Sequence, residues 1–195
     1  TLYYGLGLAY FRNKQYAEAE QSAINAMNLD ATQPASLRLY GLVTFHQNER
    51  APALLSLCRF LYLDPKGNRA EEALSNIQSI LQGGVLKAEP GVKRPQPSAE
   101  SIALNKTITS AIAEVEKRRY IAPADKLTEQ LQAIFAAVGS LSKKQAGNHF
   151  FRTRLVVPFY KLSQSGHMPA FAKYISQQID KSAEAWLASH TQQAE

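Results

Sequence analysis

The sequence predicts an all-α fold on three observations. Apolar residues recur at helical spacing along most of the chain, no stretch alternates convincingly with period two, and the opening segment maps onto itself after one fixed shift. Hydrophobic residues are 45% of the chain and charged ones 19%, which excludes wholesale disorder because a core can be buried. No run approaches the roughly 18 consecutive apolar residues a membrane helix needs, so a transmembrane segment is not expected. The chain opens at Thr1 inside a helical pattern and reads as a piece of a longer polypeptide. Its compartment stays open, cytoplasmic and exported settings both being compatible. The single cysteine, Cys58, lies among Leu54, Leu55, Leu57 and Phe60 and reads as a small core residue rather than a reactive thiol.

The internal match is specific in its residues. At an offset of 34, Leu6-Gly7 falls on Tyr40-Gly41, Ala19 on Ala53, Ala23 on Leu57, Ala26 on Phe60, and Leu29-Asp30-Ala31 on Leu63-Asp64-Pro65. A glycine inside a helix costs about 1 kcal/mol relative to alanine. Gly7 and Gly41 at equivalent places therefore point to a close approach of two helices, with Ala19 and Ala53 the small residues opposite. Turns are expected at Asn13-Lys14-Gln15 and Gln47-Asn48-Glu49. Asp64-Pro65 should end the second unit, since the residue before proline is driven out of the helical region. Residues 69–81 carry Ala70, Ala73, Leu74, Ile77 and Leu81 at helical spacing and predict a single capping helix, stopped by Gly83-Gly84.

This pattern resembles the tetratricopeptide repeat over about residues 1–82. The repeat unit of that family has a Leu-Gly pair and a Tyr in its first helix, Ala in its second, and Pro at the closing turn. Leu6, Gly7, Tyr10, Ala19 and Ala26 match in the first unit, and Gly41, Ala53 and Pro65 in the second, with Tyr40 in the Leu position. Ala31 in place of Pro, Thr44 in place of Tyr and Phe60 in place of a small residue depart from it. The resemblance implies a superhelix of antiparallel pairs whose concave face is lined by the first helix of each unit. Its usual groove positions fall on Tyr4, Leu8, Phe11 and Arg12, and on Arg38, Leu42, Phe45 and His46. It further implies a non-catalytic scaffold or adaptor that holds a peptide or partner segment, or else a groove filled by the chain's own second half. The carboxylate clamp some family members use on chaperone C-termini is not expected, because its positions hold Tyr4, Leu8 and Leu39.

Residues 83–98 contain three prolines and three glycines and read as a linker or a draped loop. Beyond them a helical C-terminal domain of about four helices is expected over 99–195. Ser98 is a candidate N-cap, and Ile102, Leu104, Ile108, Ile112 and Val115 form a stripe that Pro123 closes. A second helix should run from about Ala124 to Val138 with Gly139 as its stop. A third should run from about Asn148 to Leu162, kinked or broken at Pro158 and ended by Gly166. A last helix should run from about Pro169 to Ser189, burying Phe171, Tyr174, Ile175, Ile179, Trp186 and Leu187.

The net charge of +6 is unevenly spread. Acidic and basic residues balance over 1–82, whereas Lys117, Arg118, Arg119, Lys126, Lys143, Lys144, Arg152 and Arg154 face only Asp125 and Glu129 in their stretch. With Phe150 and Phe151 these form an aromatic-basic cluster, which opens a second reading: binding nucleic acid or another acidic surface. The plainer reading is a solvated helix face with arginine stems over a buried aromatic pair. Self-association is a third class. Catalysis is not expected: His46, His149, His167 and His190 show no i, i+4 ligand spacing. There is also no Cys-x-x-Cys, no phosphate-cradling glycine loop and no nucleophile elbow, so no metal or cofactor is implied.

Overall fold

A computed structural model describes residues 2–84, 96–118, 121–143 and 149–190. These residues are all-α, with ten helices and no strand among them. The first four form two hairpins: α1 (Leu2–Arg12) with α2 (Tyr16–Leu29), and α3 (Pro34–His46) with α4 (Arg50–Leu63). A fifth, α5 (Ala70–Leu81), follows. The second group is α6 (Ala99–Glu116), α7 (Lys126–Ser142), α8 (149–163), α9 (Met168–Ser176) and α10 (Lys181–Ser189).

The repeat offset holds at the level of single hydrogen bonds. The N–H groups of Asn13, Lys14 and Gln15 donate to the carbonyls of Ala9, Phe11 and Tyr10; those of Gln47, Asn48 and Glu49 donate to Val43, Phe45 and Thr44. Lys14 (φ 61°) and Asn48 (φ 62°) both take the left-handed conformation that closes such a turn. The second helices end alike, Asp30 donating to Ala26 and Asp64 to Phe60. The end of α5 repeats the turn once more, one position later than the repeat would place it, with Gln82, Gly83 and Gly84 donating to Gln78, Ile80 and Ser79, and Gly83 (φ 77°) in the Asn48 role. So α5 takes the place of the first helix of a third unit.

The two hairpin glycines are equivalent contact points, as the offset requires. A Cβ on Gly7 would stand 3.5 Å from the Ala19 carbonyl oxygen, and one on Gly41 3.4 Å from that of Ala53. What lies across the remaining gap differs. Over Gly7 it is Leu39 Cδ2 at 2.8 Å, from the next unit, with Ser22 Cβ of its own unit at 3.2 Å; over Gly41 it is Leu57 Cδ2 and Cγ at 2.9 Å, from the same unit. The complementary positions explain the exchange. The residue matching Leu57 in the first unit is Ala23, and the residue matching Leu39 in the third is Ala73.

The second group of helices packs on α4, which buries Ala51 through Cys58 together with Arg50, Phe60 and Leu61. At the N-terminal end of α4 a polar latch ties it to α6. The Arg50 N–H donates to Asn105 Oδ1 at 3.0 Å, Asn105 Nδ2 donates to the Asn48 carbonyl at 2.7 Å, and Ser101 Oγ donates to Glu49 at 2.9 Å. The Arg50 guanidinium donates to the Ile80 carbonyl at 2.5 Å and to Thr109 Oγ1 at 3.0 Å, so one side chain joins α4, α5 and α6. At the far end Tyr62 packs on Phe171 and Tyr174 of α9, and Lys66 pairs with Glu184 of α10. One continuous core results, running from Tyr16 to Ile175.

Several expectations for the second half need correction. Ser98 does cap α6, its Oγ accepting the Ser101 N–H at 3.0 Å, but Ile102 is 56% exposed and the buried stripe starts at Leu104. Gly139 does not stop α7. It is buried inside the helix, and the Tyr160 ring of α8 lies where a Cβ would be. The start expected at about Ala124 is a short 3-10 turn, Pro123–Asp125, that leads directly into α7 at Lys126. Of the two outcomes expected at Pro158, a kink or a break, the break does not occur: α8 runs on to Ser163, but it leaves α geometry just before the proline. The segment Arg152–Val156 is a π-turn, its closing bond running from the Val157 N–H to the Arg152 carbonyl, and this wider turn precedes the residue that cannot donate. It also keeps Phe151, Leu155 and Phe159, each four apart, on the buried side. Gly166 (φ 79°) closes the helix as expected. The last predicted helix is two. Asp180 Oδ1 accepts the Ser182 N–H at 3.0 Å and starts α10 afresh, which leaves Ile179 45% exposed and Trp186 and Leu187 half-buried. Most of the 83–98 linker lies outside the described residues.

Candidate functional site

The eight groove positions form two equivalent sets on α1 and α3. Tyr4, Leu8 and Phe11 are spaced i, i+4, i+7, and Arg38, Leu42 and Phe45 repeat that spacing in the second unit, so each set lies along one face of its helix. Tyr4, Leu8, Phe11 and Leu42 are half-buried and Arg12 is exposed. Phe45 is 3% exposed and offers almost no surface. Phe11, Tyr16 and His46 gather at one end of the stripe. The Tyr16 and His46 rings stack at 5.0 Å and Phe11 meets His46 edge-on at 5.2 Å.

The next matching position beyond Tyr4 and Arg38 is Glu72 on α5. Arg38 Nη1 reaches it at 3.3 Å, and Arg69 reaches the same carboxylate at 3.3 Å. The positive charge expected of Arg38 is therefore spent within the stack, while Arg12 forms no ion pair among the described residues. The stripe grades from apolar on α1 and α3 to polar on α5, where Glu72, Asn76 and Ser79 follow. The second half of the chain reaches α3 from another side. Phe150 of α8 meets the Tyr40 ring edge-on at 6.1 Å, and Tyr40 stands two residues from both Arg38 and Leu42, about 200° around the helix.

A buried polar seam lies between α2, the α3–α4 turn and the start of α6. Gln47 Nε2 donates to Glu20 Oε2 at 2.7 Å. Burial, with the charge of Glu49 adding to it, pushes the Glu20 carboxyl up to about 7 against the Gln47 hydrogen bond. Burial also raises Glu49, opposed by its bond from Ser101. No group of histidine, cysteine, aspartate or glutamate side chains with metal-holding geometry occurs among the described residues. Cys58 is wholly buried, and burial pushes its thiol upward, away from the reactive thiolate.

Three of the basic residues predicted as one patch are engaged. Lys117 pairs with Glu114 at 2.6 Å, Arg118 with Glu129, and Lys143 Nζ lies 4.0 Å above the Tyr160 ring. Arg152 is exposed, and Arg154 stands at a cavity bounded by α4, α8 and α9. Arg119 and Lys144 lie outside the described residues. Phe151 is buried and Phe150 half-buried, so this aromatic pair belongs to the core. Sequence reasoning missed the cavity altogether. Its only trace is the density of aromatic residues in α8 and α9, which periodicity reads as core.

Neither a known protein family, nor a curated protein, nor a solved structure matches the chain. The class that fold and surfaces define is an all-α protein of repeat-like helical hairpins joined to a helical bundle. No helix among the described residues is long and apolar enough to cross a membrane.

Proposed function

We propose that the chain is a tetratricopeptide-type interaction module that holds a segment of another protein along the stripe on α1 and α3. One observation carries this reading. Tyr4, Leu8, Phe11 and Leu42 remain partly open on equivalent faces of two first helices, while the second half of the chain is packed on α4 and meets α3 at Tyr40. An apolar and aromatic stripe suits an apolar or amphipathic segment, with Arg12 left to meet an acidic residue at the rim. The engagement of Lys117, Arg118 and Lys143, and the inward packing of Phe151, favour a protein partner over nucleic acid. Base stacking and phosphate contact need those groups free.

The test is affinity capture with the wild-type chain and with Leu8→Glu/Leu42→Glu, the two compared for helicity and melting temperature. Proteins retained by the wild type are expected to be lost from the folded variant and to stay bound to an Arg152→Glu control. Retention of the same proteins by the folded double variant would show that the stripe is not the binding surface. Loss on nuclease treatment or on modest added salt would return the alternative, an acidic polymer at the basic second half.

A further inference from the structure

Helices α4, α8 and α9 leave between them a cavity of about 550 Å³, within the ~300–1,000 Å³ typical of small-ligand sites. Phe159 and Phe171 form part of its lining, their rings edge-to-face at 5.7 Å, and Tyr62 and Tyr174 add two more rings 5.8 Å apart. Two arginines line the same space, Arg59 from α4 and Arg154 from the π-turn of α8. No aspartate or glutamate lines it, and neither arginine makes an ion pair among the described residues. Arg59 stands 5.4 Å from the centre of the Tyr62 ring, a contact that orients a cation without neutralising it.

Charge and shape together select the occupant. Two like charges beside low-dielectric walls create a positive potential that an anion relieves. The four rings ask for an apolar body to displace the water over them. An inorganic anion would leave the aromatic surface wet, and a neutral hydrocarbon would leave both guanidiniums unanswered. The π-turn supports the assignment. Such turns are frequent at functional sites, and this one carries Arg154 at the cavity edge while Leu155 and Val156 stay buried.

We propose that this cavity binds a small amphiphilic organic anion, its carboxylate held by Arg59 and Arg154 and its aromatic or aliphatic body lying against Phe159 and Phe171. The assignment is independent of the α1–α3 stripe. Calorimetric titration of the full chain with octanoate and 1-naphthoate, beside octanol and 1-naphthalenemethanol, tests it. The carboxylates are expected to bind saturably at one site and about tenfold or more tighter than the matched alcohols, a margin set by the charged contact. Arg154→Gln, an exposed change, should remove most of that margin and leave alcohol binding unaltered. Leu162→Trp, which narrows the cavity, should weaken both classes, with circular dichroism showing the fold intact. The proposal is overturned if no carboxylate binds at millimolar concentration, or if acid and alcohol bind alike. It also falls if Arg59→Gln/Arg154→Gln keeps the wild-type preference, or if the folded Leu162→Trp variant binds both classes undiminished.

Discussion

In the first hairpin the outer side of α1 carries Leu2 and Leu6 into solvent, 84% and 41% exposed, whereas their counterparts on α3, Ser36 and Tyr40, are sealed at 0% and 1%. The backbone is nevertheless the same, down to the turn bonds and the φ of Lys14 and Asn48. Local chemistry therefore sets the hairpin, and stacking sets which side chains disappear. The packing over the two glycines makes the same point at finer scale. Each glycine has one leucine packed over it, and the first unit takes that leucine from the next unit while the second supplies its own.

The strongest test of this difference is a pair of double-mutant cycles. Leu57→Ala should cost about 3 kcal/mol by emptying a buried site. Gly41→Ala should cost about 1–2 kcal/mol net, because crowding against the Leu57 branch outweighs the gain in helix propensity. In the Leu57→Ala background the same Gly41→Ala change should become neutral or stabilising. Gly7→Ala should couple to Leu39 instead, and more weakly, since only the tip of that side chain is close and Ser22 Cβ at 3.2 Å crowds the same site. Chemical denaturation of the four variants of each cycle measures the coupling. Equal coupling of Gly41 to position 73 would refute the exchange of partners.

The seam between the units gives a pH test of intermediate size. The Glu20 carboxyl is raised from about 4.5 to about 7 in the folded chain, first by burial and then by Glu49. A raised acid binds its proton more tightly folded than unfolded. Its contribution is therefore fully present below about 4.5 and lost as pH rises through about 7. Stability should fall by about 1–2 kcal/mol over that window, less than the full shift implies because Glu20 keeps some solvent contact. Glu20→Gln, which keeps a partner for Gln47, should flatten the profile. An unchanged slope would assign the pH dependence elsewhere.

The smallest effect lies in the turns. Lysine tolerates a left-handed backbone poorly and asparagine better. Lys14→Gly should raise stability by about 0.5–1 kcal/mol and Asn48→Gly should leave it nearly unchanged. A thermal melt of each variant decides, and a loss at position 14 would show that the Lys14 side chain contributes more than its backbone costs.

What could be read from the sequence follows the same divide. The turns at Lys14 and Asn48, the Ser98 cap, the Gly166 stop and the paired glycines were legible because each acts within a few residues or recurs at a fixed offset. Gly139 was misread because its signature, a glycine after an apolar run, is that of a helix stop, and only the Tyr160 ring from another helix gives it a different reason. The π-turn before Pro158 depends on Phe151, Leu155 and Phe159 all reaching one core. The break at Asp180 could have been suspected from a capping residue two before Ser182, yet the apolar period runs across it. Of the groove residues, position along the helix was legible and exposure was not. Phe45 and Leu42 match their first-unit counterparts equally well, and only the assembled stack tells the sealed ring from the open one.

α4 is held from every side, by its own hairpin, by α5, by the Arg50 latch to α6 and by the aromatic contacts of α9. Its amide hydrogens should exchange with solvent only when the whole molecule opens, and more slowly than those of α1, which packs on fewer elements. The slowest-exchanging protons should therefore mark the fourteen-residue helix where the hairpins meet the bundle.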